Sequence, residues 1–409
     1  MQRMPCLLRA RGFSIRIRLF SWTDPKNGAA FLFLKAAGFD VKTTLFADTA
    51  SNVRWLLTQA KDDPPNVFIA NHVVPALHAA KYFRRWGVPT IGIIRSDDAF
   101  YRAIGKVFLN GAKASRVSAF VCVSSWMSEY LMSTNIGSTI ITRIPSGTPL
   151  PASFVAPPTS AFRITYVGRF VEEQKRVSEV TLAFCRAVTE ISGVEAFLIG
   201  EGPSRVSIDN IILNHGTEKV QILGHMSASA VQKHLLESHV IVLMSDYEGT
   251  PTAIMEGMAC GCVPVCLDIR SGIPELVVHG STGLIIDDRG DSFISAIKRL
   301  KANPDLWLNL SRSARAHIQN GFTVDWAAKE WTKLLASLGA SVKVDAKKVP
   351  ASLVFPKVHP DLAHQDIRGP SFIPLLLFRL KRARFYAGRL KQIFKIKINS
   401  HILSLFAIL

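Results

Sequence analysis

Two successive alternations of short apolar strands with helical segments, separated by a proline-rich stretch, predict an α/β protein. Its two Rossmann-like parallel-sheet domains would face a common cleft. A length of 409 residues is ample for two cores, and a composition 48% hydrophobic and 20% charged excludes a disordered chain. The most apolar stretches, Phe372 to Phe378 and Ile402 to Leu409, are too short to span a bilayer, which points to a soluble or peripheral protein. Cys6, Cys122, Cys185, Cys260, Cys262 and Cys266 contain no CxxC pair and mostly sit in apolar runs. Reduced thiols in a cytoplasmic setting fit that pattern, and a small disulfide-stapled fold is excluded.

The first alternation places strands at Ile15 to Trp22, Val41 to Phe46, Val67 to Ala70, Thr90 to Ile94, Ala119 to Val123 and Ile140 to Ile144. Helical stretches such as Val74 to Trp86 and Ser125 to Ser133 lie between them, with Gly38 and Gly87 where a helix should stop. This gives a first domain over 1–148. Four prolines between Pro149 and Pro158 suit a stiff linker, 149–160. A second domain, 161–322, comes next, with strands at Arg163 to Val167, Glu195 to Ile199, Val220 to Leu223, Val240 to Met244, Val263 to Leu267 and Leu284 to Ile286. Residues 323–339 read as a closing helix returning to the first domain. Beyond it the alternation is lost, and 340–409 reads as a basic tail.

The net charge of +18 is concentrated at the ends. Arg3, Arg9, Arg11, Arg16 and Arg18 stand in the first 20 residues without an acid, and 341–409 carries 13 Lys or Arg against Asp345, Asp361 and Asp366. The body between them is nearly neutral, so no specific nucleic-acid surface is expected. The start resembles a transit peptide in charge, but it has no secretory apolar core or small-residue cleavage site, and Ile15, Ile17 and Leu19 alternate as a first strand. In 372–398, Leu380, Ala383, Ala387, Leu390 and Phe394 fall on one helical face, and Arg382, Arg384, Arg389, Lys391 and Lys395 fall outside it. That is the pattern of an amphipathic basic helix docking on an anionic membrane surface.

Two segments carry chemistry. In Ile164 to Arg176 a strand runs through Gly168 into a turn bearing Arg169, Lys175 and Arg176, cations that could hold a diphosphate beside a backbone amide. Taken alone it equally reads as a glycine turn with solvated charges. In Tyr247 to Gly261, Thr250 and Pro251 offer a cap and a first helical position after an apolar strand. Glu248 and Glu256 are eight positions apart, about 12 Å along a helix, whereas a retaining hydrolase pair needs about 5 Å. They would touch different parts of an elongated ligand.

The run Glu248 to Glu256 in "EGTPTAIMEGMACGCVPV", with "SGIPELVVHGSTGLII", "YVGRFVEEQKR" and "FLIGEGPSR", resembles the donor domain of retaining GT-B glycosyltransferases of the family 4, or group 1, type. The resemblance covers 161 to about 339; it reaches the first domain only by topology and a few residues, and does not reach the tail. It implies a GT-B fold and transfer of a sugar from a nucleotide-diphosphate sugar to a glycan or lipid-linked acceptor, without cofactor or metal. By the same resemblance Arg169 and Lys175 would hold the diphosphate, with Gly168 allowing close approach. Glu256 would accept from ribose hydroxyls. Glu248 would accept from the donor sugar, Gly249, Thr250 and Pro251 would support the phosphate, and Gly200, Gly202 and His225 would shape the nucleotide pocket. Glu275 resembles a position near the donor loop, and equally suits a helix-start charge. His279, Asp287 and Asp288 are left without a role.

The first domain departs from the family pattern. Arg95 stands where a histidine facing the sugar is expected, with Ser96, Asp97 and Asp98 beside it and Asn71 and His72 after the preceding strand. Arg95 could add positive charge near the departing diphosphate, and Asp97 is the accompanying candidate. Rival functions keep the fold: a nucleotide-sugar epimerase, or a catalytically weakened nucleotide-sugar-binding protein. A nicotinamide oxidoreductase is excluded for want of a GxGxxG turn after the first strand.

Overall fold

The computed structural model describes residues 3–134, 136–215, 217–269, 271–339 and 348–369. The expected amphipathic helix at 372–398 lies outside them. In the first domain, β1 (Arg16–Ser21) and β2 (Asp40–Leu45) form a parallel pair in which Arg16 faces Asp40. β3 (Phe68–Asn71), β4 (Thr90–Ile94), β5 (Ala119–Cys122) and β6 (Ile140–Arg143) form a four-stranded parallel sheet in that order. β4 and β5 are buried along their whole length, which is why they read as unbroken apolar runs rather than alternating ones.

The second domain holds β7 (Phe162–Val167), β8 (Val194–Ile199), β9 (Val220–Gly224), β10 (Val240–Leu243), β11 (Val263–Leu267) and β12 (Leu284–Ile286). All are parallel, in the order β12-β11-β10-β7-β8-β9. Counted within the domain this is the doubly wound order 3-2-1-4-5-6, and its direction reverses between β7 and β10. Ligands bind outside the carboxyl ends of the strands at such a switch point. The loops leaving β7 and β10 there are the two segments that carry the chemical motifs.

The chain crosses between domains twice, and the crossings are hydrogen-bonded to each other. Thr148 N donates to Phe322 O at 2.8 Å and Val324 N to Thr148 O at 3.0 Å. The linker is fastened to its neighbours: Val155 is buried, its amide bonds Cys260 O at 2.8 Å, and Arg315 donates to the carbonyls of Pro151 and Ser153. The helix Val324–Gly339 then lays Trp331, Leu334 and Leu335 against Ile91, Ile93, Ala119 and Val121 of the first sheet.

Two basic terminal segments are fastened to the first domain. A helix, Arg3–Ala10, precedes β1, and the arginines around it are engaged. Arg9 donates to Ala37 O at 2.8 Å, Arg11 pairs with Asp325 at 3.2 Å, Arg16 with Asp63 at 2.8 Å and Arg18 with Asp40 at 3.0 Å. Residues 348–369, expected to belong to a tail apart from the body, pack on the first domain instead. Arg54 donates to Pro350 O at 2.9 Å, Thr49 N to Ile367 O at 2.8 Å and Val74 N to Gln365 Oε1 at 3.1 Å. Leu362 and Asp366 are buried. This arm is neither strand nor long helix, so it left no periodicity in the sequence to be read.

Candidate active site

The loop after β7 begins at Gly168, whose amide donates to Ile199 O at 3.0 Å. It passes Arg169, forms one helical turn, Glu172–Lys175, and kinks through Arg176 in the left-handed region (φ 48°, ψ 43°) into the helix Val177–Glu190. A non-glycine residue held there costs on the order of 1 kcal/mol or more and has to be fixed by its surroundings. Arg176 Nε contacts Asp246 Oδ2 at 2.5 Å, and Arg289 reaches both Asp246 and, at 2.8 Å, Met244 O. Gln174 Nε2 donates to Tyr247 O and Asp246 N to Gln174 O, each at 2.9 Å. These bonds stitch the two switch-point loops together.

That stitching brings two of the expected residues into contact: Lys175 Nζ and Glu248 Oε1 form an ion pair, both side chains largely buried. Arg169 is exposed. It donates to Gln174 Oε1 at 3.0 Å and has no carboxylate partner among the described residues, so its charge is available to an anion. Gly200 explains its own residue type. A Cβ there would lie 1.8 Å from Gly168 O, and its φ of +147° is ordinary only for glycine. A Cβ on Gly202 would stand 2.2 Å from Phe170 O. The two glycines let the loop after β8 lie directly on the loop carrying Arg169. His225 is exposed on the turn after β9.

Thr250 does not cap the next helix. Thr252–Cys260 starts with Pro251 as an extended cap residue, because the Thr250 hydroxyl donates across the cleft to Val123 O at the end of β5. Gly249 sits against the first domain too, where a Cβ would come within 2.0 Å of Arg95 O. Glu256 lies further along the helix, in a recess with the hinge residues Thr148, Pro149 and Pro151 and with Gln232, and so has different surroundings from Glu248. Glu275 stands in the first turn of its own short helix, Ile273–Leu276, but its carboxylate is turned to the first domain. Its carboxylate accepts from Ser125 N and, at 2.5 Å, from Arg143 Nε of the first domain.

On the first-domain side, Arg95 follows β4 and donates from Nε to Asn71 Oδ1 at 3.0 Å; burial pushes its pKa down. Ser96 Oγ is buried without a hydrogen-bond partner among the described residues. Asp97, the accompanying candidate, is held in a local network. Its buried carboxylate accepts from Arg102 at 2.7 and 2.9 Å and from Trp126 Nε1 at 2.8 Å, and this leaves little acceptor capacity for a substrate. Burial tends to raise its pKa, but Arg102 and Trp126 more than offset that and hold it below the usual range. Asp98 caps the helix Ala99–Phe108 through Tyr101 N at 2.9 Å. Burial, with Asp98 opposite, raises the pKa of Tyr247. His279 binds the backbone of Ile285, and Asp288 closes the turn at Gly290 and Ser292. Sequence reasoning missed the Asp246–Arg289 network and Tyr101; Asp246 adjoins the motif but carries no signal of its own.

Two parallel α/β domains joined by a hydrogen-bonded hinge, with loops from both meeting at the switch point of the second, define the GT-B fold. Solved structures carry the same fold. Alr3699/HepE from Anabaena, solved in complex with UDP, superposes with a TM-score of 0.67 at 16% identity over 82% of this chain and 96% of that one. Residues 154–317, within the second domain and its linker, match the family model described as glycosyl transferases group 1. N-acetyl-alpha-D-glucosaminyl L-malate synthase of Bacillus anthracis is 34% identical over 152 residues, 36% of this chain and 38% of that protein. Amylovoran biosynthesis glycosyltransferase AmsK of Erwinia amylovora is 29% identical over 185 residues, 43% and 45%. The chain therefore spans less than half the length of these curated relatives.

Proposed function

We propose that the protein transfers a glycosyl group from a nucleotide-diphosphate sugar to a glycan or lipid-linked acceptor, with retention of configuration. The observation that carries this is the Lys175–Glu248 pair at the switch point, with the exposed Arg169 on the same loop. A diphosphate arriving beside Lys175 gives the ammonium a second anion, and a sugar hydroxyl can donate to the Glu248 carboxylate. Glu256 is the acceptor for ribose hydroxyls in its separate recess. In the reaction, the acceptor oxygen bonds to the anomeric carbon on the face from which the diphosphate leaves. The carbon–phosphate-oxygen bond breaks, and the leaving phosphate takes the acceptor proton. Arg169 and Lys175 balance the charge on that phosphate, so no metal is required of the site. UDP in the complex with Anabaena Alr3699/HepE supports a nucleotide donor.

The test is UDP affinity in EDTA-containing buffer. Lys175→Ala and Arg169→Ala should each weaken UDP by about tenfold or more; the melting temperature should hold for the exposed Arg169 and fall for Lys175→Ala, which leaves the buried Glu248 unpaired. Glu256→Gln should also weaken it, and Glu248→Gln should leave UDP affinity near wild type while lowering release of UDP from UDP-sugars. Unchanged UDP affinity in both cation variants sinks the diphosphate assignment. A wild type that binds UDP-sugars tightly, and across acceptor panels turns none over, favours a binding protein; release of a free sugar epimer favours an epimerase.

We further propose a cytoplasmic protein that docks peripherally on anionic membranes through 372–398. No helix among the described residues is long and apolar enough to cross a membrane. Each cation near an anionic leaflet contributes about 1 kcal/mol. The full chain should pellet with anionic vesicles in a salt-sensitive way, and a chain ending at Gly369, which retains the packed arm, should not. Equal pelleting of the two refutes docking through that segment.

A further inference from the structure

We infer that the arm 348–369 completes a subsite for a neutral sugar ring on the acceptor side of the cleft, through a wall of rings formed by His72, Phe100, Tyr101 and His364. The inference rests on the glycosyl-transfer function proposed above, and it identifies where the acceptor sits and which part of the chain helps select it.

His72 follows β3 directly and takes φ 59°, one of two non-glycine residues with positive φ among the described residues; the other is Arg176 in the donor loop. Strain of this kind persists where the surroundings over-determine it, and here the ring is held on two sides. His72 Nδ1 lies 2.6 Å from the Tyr101 hydroxyl, and its ring centre is 5.1 Å from that of Phe100. Phe100 is half-buried, and on its other side the His364 ring stands 5.1 Å away at 48°. His72 Nε2 has no hydrogen-bond partner among the described residues.

His364 is exposed, yet its place on the arm is fixed by the two residues after it. Gln365 takes the amide of Val74 at 3.1 Å, and Asp366 is buried against Thr49 and His78 at 2.9 and 3.1 Å. A segment that served only to cover the domain would have no need to hold an exposed imidazole against a half-buried phenyl ring at the end of β4. The wall stands where the first sheet meets the other domain, since the carbonyl of Arg95 abuts Gly249.

The chemistry of the wall selects its ligand. Burial, with the Arg95 charge beside it, lowers the pKa of His72, and burial raises that of the Tyr101 phenol, so this inner pair is neutral near pH 7. Of the nearby charges, Asp98 is committed to the helix start, and Arg95 turns its Nε onto the neutral amide of Asn71. Neutral rings with polar edges and one open imidazole nitrogen suit the C–H face and hydroxyls of an uncharged pyranose better than a phosphate or a carboxylate.

The experiment uses the full chain with saturating UDP on an array of neutral oligosaccharides, alongside UDP affinity measured separately. Wild type should bind at least one neutral glycan. His364→Ala should weaken it by about tenfold, the scale of one lost ring contact, whereas His364→Phe should stay within about threefold of wild type. UDP affinity and melting temperature should be unchanged in both. No neutral glycan bound by wild type, or equal binding by His364→Ala, overturns the subsite. Loss of UDP binding by wild type would instead refute the transferase function, and His364-dependent glycan binding would still uphold the subsite.

Discussion

Asp366 shows how a single carboxylate fixes a segment with no regular structure. It accepts from Thr49 Oγ1, pairs with His78 Nε2 at 3.1 Å and is gripped by Arg368 at 2.6 and 2.7 Å, with its own side chain 2% exposed. Burial works to raise its pKa, but the bonds from His78 and Arg368, and the Arg368 charge, hold it well below the usual carboxylate range. For His78 burial is the largest influence and pushes the pKa down, against the pull of Asp366. Both folded pKa values lie below the unfolded ones, so both groups contribute stability that acid removes. The His78 contribution is full above its unfolded pKa of about 6.5 and is lost as pH falls below it, while the Asp366 contribution begins to fail only below about 3.9. Urea midpoints of wild type should therefore drop between pH 7 and pH 5 more steeply than those of His78→Gln; equal slopes would show that His78 is not the group responsible. Asp366→Ala should cost about 3 kcal/mol at pH 7, because it leaves two buried partners unmatched. None of this was legible in the sequence, where Asp366 is one of three acids in a basic segment and its partner His78 lies 288 positions away.

At the scale of elements, legibility followed periodicity. The buried strands β4, β5 and β10 announced themselves as apolar runs closed by turn residues, and the structure places them within a residue or two of expectation. The helix Arg3–Ala10 carries only Leu8 into the core, too little apolar stripe to be read in an arginine-rich start. The site divides in the same way. Arg169, Lys175 and Glu248 were named through the resemblance to a glycosyltransferase donor domain, and all three lie in loops at the carboxyl ends of strands. That Lys175 would meet Glu248 was not legible, since the contact depends on Arg176 turning the chain left-handed and on Asp246 and Gln174 joining two loops about seventy positions apart. Thr250 was misread as a cap because local propensity cannot foresee a backbone carbonyl from the other domain competing for its hydroxyl.

For the whole molecule, the cleft is held by contacts that join the carboxyl ends of the two sheets. Thr250 reaches Val123, Gly249 lies on Arg95, and the amide of Gly272 donates to Gly249 O at 2.7 Å, so the donor loop is clamped from both sides. Glu275 is the charged member of this seam. It is carried by the short helix Ile273–Leu276, whose backbone is fixed by His317 Nε2 at 2.7 Å from Glu275 O. Its carboxylate meets the first turn of the helix Ser125–Met132, where unpaired amides favour an anion, and Arg143 at the end of β6. With side chains only 26% and 15% exposed, Arg143 and Glu275 are shielded from screening more than a surface pair would be. A double-mutant cycle of Glu275→Ala with Arg143→Ala should yield a coupling of about 1–2 kcal/mol in unfolding free energy. Because the carboxylate is committed to the first domain, Glu275→Ala should lower UDP affinity far less than Lys175→Ala does. It should also raise the radius of gyration measured by small-angle scattering, as the two domains part about the Thr148–Thr323 hinge. A coupling of zero, or a loss of UDP affinity equal to that of Lys175→Ala, would return Glu275 to the donor site and leave the backbone contacts of Gly249 and Thr250 to close the cleft alone.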